Sequence, residues 1–251
     1  MNTFNRGKSA RGASIFTVAM FGCGALGASA NAGFVATFQS YGAGQYASCG
    51  YRASDAWDST NALNYFSIRA YQHEFVSGAG ELRRTWCAEI YQSVSVGATY
   101  DFAEVALEAV PTASPGPMGL ARAVLVRDLI ARWIDPQTQL VVGDSSSRAE
   151  ISAALQLAIW EVTHENFAAT DALGMVNQMS LATGAFRSNP GDAVLGWYSA
   201  MRESLGVGGF QYVAAAGLAE PQVQDQIYMI PGPSVIAALV LVGCKRGTRR
   251  R

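Results

Sequence analysis

"EISAALQLAIWEVTHE", Glu150 to Glu165, decides how the rest of the chain is read. Leu155, Ile159 and Val162 recur at helical spacing, and Ala153, Ala154, Leu157, Ala158 and Trp160 occupy most of the other positions. A helix that is apolar nearly all round belongs inside a fold. Ser147 or Ser146 can cap its start, which predicts a helix over 148–164. Gln156 stands in its middle. A primary amide buried without partners costs about 1–3 kcal/mol, so a partner is expected elsewhere in the chain.

Outward from this helix the pattern changes. The segments 33–42 and 61–78 are rich in aromatic and β-branched residues and read as strands. The segments 82–97 and 98–111 alternate and read as a strand pair. "ASPGPMG", 113–119, is a turn. An amphipathic helix is predicted over 120–135 and another over 192–206. The segments 209–217 and 223–230 return to strand. Strands, then helices, then strands imply one α+β domain. Its expected form is an antiparallel β-sandwich or barrel-like sheet with an inserted helical subdomain.

Both ends read as sorting segments. Residues 1–32 have a basic start (Arg6, Lys8, Arg11), an apolar run and the small-x-small sequence Ala30-Asn31-Ala32, the pattern of a secretory signal peptide. The expected mature domain is 33–230. Residues 231–251 combine Pro231-Gly232-Pro233, a short apolar run and a basic cluster from Lys245 to Arg251. That run is short for a membrane span, and its basic end would stay cytoplasmic. The expectation is export, a membrane contact through the C-terminal segment at least for a time, and a final place at the cell surface or in the extracellular matrix.

All 19 acidic residues fall within 33–230. Eight of the 18 basic residues lie in the end segments, which leaves ten, every one an Arg. So acidic a domain is a poor nucleic-acid binder, because phosphate contacts need Lys and Arg. Base composition and avoidance of primary amines both account for the missing Lys. The domain keeps two cysteines, Cys49 and Cys87, and in an oxidising compartment two cysteines ordinarily form a disulfide. Metal-ligand spacings, nucleotide-binding glycine patterns and a serine-nucleophile elbow are all missing from the sequence, so no metal or cofactor is expected.

"LQLAIW" resembles the T-Q-x-A-I-W signature of bacterial thioester domains, and "TWCAEI" supplies the cysteine that such domains carry on an earlier strand. The tail resembles a PEP-CTERM sorting signal, with Gly232 where Glu is usual. "WCAEI" and "QLAIWE" together also resemble PEP-CTERM proteins with the same pair of motifs. The Thr of the thioester-domain signature is Leu155 here. The resemblance implies an internal thioester between the Cys87 sulfur and the Gln156 side-chain carbonyl, shielded by Trp86 and Trp160. Glu89, Glu161 and His164 are the nearest titratable residues in sequence for proton transfer. It further implies a non-enzymatic adhesion domain that acylates an amine-bearing host, matrix or cell-surface polymer. A non-reactive structural protein of the surface or exopolysaccharide matrix is the alternative. A Cys-His hydrolase on Cys87 and His164 ranks below both, because nothing around the cysteine fits one.

Overall fold

The computed structural model describes residues 33–230; the expected signal peptide (1–32) and sorting segment (231–251) lie outside the described residues. The chain forms β1 (Gly33–Tyr51), β2 (Phe66–Ser77), β3 (Leu82–Cys87), β4 (Thr99–Ala106), α1 (Gly119–Trp133), α2 (Arg148–His164), α3 (Ala172–Gln178), β5 (Phe186–Asn189), α4 (Asp192–Ser204), β6 (Ala215–Ala219) and β7 (Gln226–Met229). The fold is α+β, with a seven-stranded antiparallel sheet and four helices among the described residues.

Strand order is β2-β3-β7-β6-β4-β1-β5, and β1 also pairs with β2. Six strands therefore close on themselves as a barrel, and β5 extends the far end of β1. One long strand serves three partners because register shifts at Phe38/Ser40 and Tyr41/Gly44 bend it. The segments 82–97 and 98–111 do contribute neighbours in sequence, but not a pair in space. β3 lies between β2 and β7, whereas β4 lies between β1 and β6.

The barrel interior holds Phe34, Phe38, Phe75, Phe102, Leu218 and Tyr228. The Arg83 guanidinium stacks over the rings of Phe34 at 3.9 Å and Tyr228 at 4.9 Å. A second, larger core lies on the outer face, where β1, β2 and β3 meet α2. Every residue of α2 from Ile151 to His164 is buried there, with α1 and α4 against it. Ser147 occupies the cap position of α2 without a side-chain bond to the helix; Asp144 accepts from the backbone N–H groups of Ser146 and Ser147 instead. Beyond α2, Gly184 has φ +105, and a Cβ there would collide with the Glu165 carboxylate. Among the described residues no helix is long and apolar enough to cross a membrane.

Candidate functional site

Period-two alternation sorts the end of β3. Arg83 lies over the barrel rings Phe34 and Tyr228, and the Cys87 sulfur lies beside His73, which packs on Phe38. Arg83, Thr85 and Cys87 therefore share the barrel face and Trp86 takes the other, although buried Cys87 also packs within the larger core that holds Trp86. Register extends the barrel-side row sideways: Thr85 pairs with His73 on β2 and with Tyr228 on β7, and Cys87 pairs with Gln226. The β2–β3 ladder stops at His73–Thr85, so the peptide groups of Cys87 that face β2 have no strand partner.

Gln156 fills that gap. Its Oε1 accepts from the Cys87 backbone N–H at 2.9 Å, and its Nε2 donates to the Cys87 carbonyl at 2.9 Å. An amide held at both ends by one residue of a strand lies close to the plane of the sheet, in the place of a neighbouring strand. Its flat face is then turned to the side on which the Cys87 side chain stands. Gln156, Trp86 and Trp160 are all fully buried, and both tryptophans belong to the helix-side core.

The Cys87 thiol itself engages the barrel side. Sγ donates to Gln224 Oε1 at 2.9 Å and lies 3.6 Å and 3.5 Å from the two ring nitrogens of His73. Gln224 is fixed in turn by donating Nε2 to the Glu89 carbonyl, and Glu89 Oε1 accepts from the Asp225 N–H. His73 sits among aromatic rings, with Phe38 at 5.0 Å and Tyr41 at 5.2 Å between centroids. Burial pushes its pKa down to about 3 and pushes that of the thiol up, so the resting pair is a neutral imidazole beside a neutral thiol. Burial also raises Glu89 to about 7, opposed by the N–H of Asp225.

The remaining sequence candidates lie elsewhere. Glu161 accepts from the Ser180 N–H, and burial raises its pKa well above the carboxylate range. His164 bonds Thr163 and the Trp160 carbonyl and packs its ring on Tyr51 and Phe186; burial lowers it to about 3. Cys49 is a free thiol bonded to Ser188, on the helix side, and Cys87 is free too, so the two do not form a disulfide. Sequence reasoning passed over His73 and Gln224. Neither has a motif around it, and only strand register brings them to the sulfur.

A cleft of about 450 Å³ leads from the surface to Cys87 and His73. Its walls are the β1–β2 ribbon (Tyr41, Tyr46, Arg69) and the segment after β3 (Ile90, Tyr91, Val94). Among the described residues no cluster of His, Cys, Asp and Glu is arranged to hold a metal. Comparison with protein families, with curated proteins and with solved structures returns no match for this chain.

Proposed function

We propose that the chain is an exported surface protein whose Cys87 and Gln156 form an internal thioester for covalent attachment to an amine-bearing surface. The observation that carries this reading is the double hydrogen bond that pins the Gln156 amide to the Cys87 main chain. It holds the amide carbon beside the residue that bears the nucleophile, and well-aligned groups reach effective molarities of about 10⁵–10⁸ M.

The step balances without a co-reactant. Sγ adds to the Gln156 carbonyl carbon, and the Cys87 N–H faces the oxygen on which negative charge develops. The C–N bond breaks, the thiol proton passes to the departing nitrogen, and ammonia leaves. His73, 3.5 Å from the sulfur, is placed to relay that proton as the bond forms. Trp86 and Trp160 cover the helix side of the amide against water, while the cleft that would admit the amine opens on the sulfur's side. An incoming amine then displaces sulfur and becomes an amide on Gln156, and Cys87 returns to a thiol. Display at the surface rests on the patterns of the two end segments.

One observation favours the structural alternative. Both polar ends of Gln156 are already satisfied by Cys87, so a clamp closing the β2–β3 gap accounts for the amide without any reactivity. The two readings part on methylamine treatment followed by peptide mapping. The thioester reading expects methylamine on Gln156, lost in Cys87→Ala. An unmodified Gln156 in protein that never saw amine during purification favours the clamp alone.

A further inference from the structure

The cleft above Cys87 carries information about which amine could enter. Among the described residues that line it, Arg69 is the one charged side chain at neutral pH, and none is Asp or Glu. Its guanidinium lies 4.4 Å from the Tyr41 ring centroid and 5.6 Å from that of Tyr46, and its Nε donates to the Tyr46 hydroxyl. Two of the four Tyr and Phe rings in the lining, Tyr41 and Tyr46, thus already face a cation, which adds repulsion to any ammonium that approaches Tyr91 and Phe66. A lysine side chain, with an ordinary pKa of about 10.4, is almost wholly protonated at neutral pH. It would meet a positive charge at the mouth and find no carboxylate in the walls. Losing that proton to become a nucleophile would be its own burden.

Resting on the thioester reading, we propose that this cleft selects a weakly basic, ring-borne primary amine, the amino group of a hexosamine in a polysaccharide, over a protein lysine. Such an amine is substantially neutral where lysine is not. The exposed faces of Tyr91 and Phe66 offer flat apolar surface to the C–H face of a sugar ring. The volume lies within the ordinary range of small-molecule sites, about 300–1,000 Å³. Sugar hydroxyls meet Gln92, Ser93 and the Tyr46 hydroxyl, all of which line the cleft. The amine nitrogen attacks the Gln156 carbonyl carbon, the C–S bond breaks with its electron pair on Cys87, and the amine's proton goes to that thiolate.

The test uses the full-length chain purified without amines. Glucosamine, Nα-acetyl-lysine and methylamine are supplied separately at equal concentration and neutral pH, and adduct formation is followed by intact mass. The same amines are run against a small unhindered thioester, which reports their intrinsic reactivity. The expected glucosamine-to-lysine rate ratio exceeds that of the free thioester by about tenfold, a discrimination well within the reach of a shaped site. Arg69→Glu, at an exposed position, should lower that ratio by speeding the lysine analogue. Methylamine addition with a ratio equal to the free thioester's, or one favouring lysine, overturns the selectivity while leaving the thioester standing. Failure of all three amines to add overturns the thioester reading and this inference together.

Discussion

Gln156→Leu in a Cys87→Ala background isolates the amide clamp from any covalent bond, because neither the parent nor the double variant can form a thioester. Leu fills nearly the same volume but has neither a donor nor an acceptor. The Cys87 N–H and C=O facing β2 then lose their partners inside a core where Gln156 is fully buried. Each unsatisfied group costs about 1–3 kcal/mol, so the pair should cost about 2–6 kcal/mol, reduced where the β3 end relaxes toward water. Ala at 87 leaves the clamp itself intact, since Gln156 bonds only to the main chain of that residue. Urea unfolding followed by tryptophan fluorescence measures the difference, because Trp86 and Trp160 lie in the same core. A double variant within about 0.5 kcal/mol of its parent, the range of an inconsequential surface change, would refute the clamp.

Three further outcomes follow from the same geometry. His73 is held neutral with a pKa near 3, against about 6.5 in an unfolded chain, so its contribution is present above pH 6.5 and lost as pH falls toward 3. Relative to His73→Asn, the wild type should lose up to about 1.4 kcal/mol per pH unit across that window in pH-dependent urea titrations; parallel curves would contradict the burial of a neutral ring. Asp225→Ala removes the acceptor for the Thr112 N–H and hydroxyl and for the Glu220 N–H, and should cost about 2–4 kcal/mol in thermal or urea unfolding. Alkylation of the denatured, unreduced mature domain (33–230), which lacks Cys23 and Cys244, should label one thiol, Cys49, before amine treatment and two after; two labels from the outset would speak for the clamp alone.

The helix was legible because its signal is local. The apolar run around Gln156 gives α2 over Arg148–His164, as the periodicity predicts. The α+β class was legible for the same reason, from the order of strand-like and helix-like segments. Strand partners were not. Alternation in 82–97 and 98–111 marks strands but cannot say that β3 joins β2 and β7, which depends on barrel closure through the bent β1. α3 and β5 were missed because seven and four residues are too short to show a period. At the site, alternation placed Trp86 and Cys87 on opposite faces of β3. It could not say which face meets the helix: Trp86 does, while the Cys87 sulfur looks into the barrel and its peptide groups meet Gln156. His73 and Gln224 reach the sulfur from 14 and 137 positions away, a distance over which sequence carries no contact information without register.

The intact mass of the mature protein, purified under mild, amine-free conditions, tests the central proposal most directly. Thioester formation expels one ammonia, so the account predicts a mass one ammonia below the sequence value, restored to that value in Cys87→Ala and Gln156→Ala after allowing for the substitutions. A wild-type mass equal to the full sequence value, with Cys87 titrating as a free thiol, would contradict it.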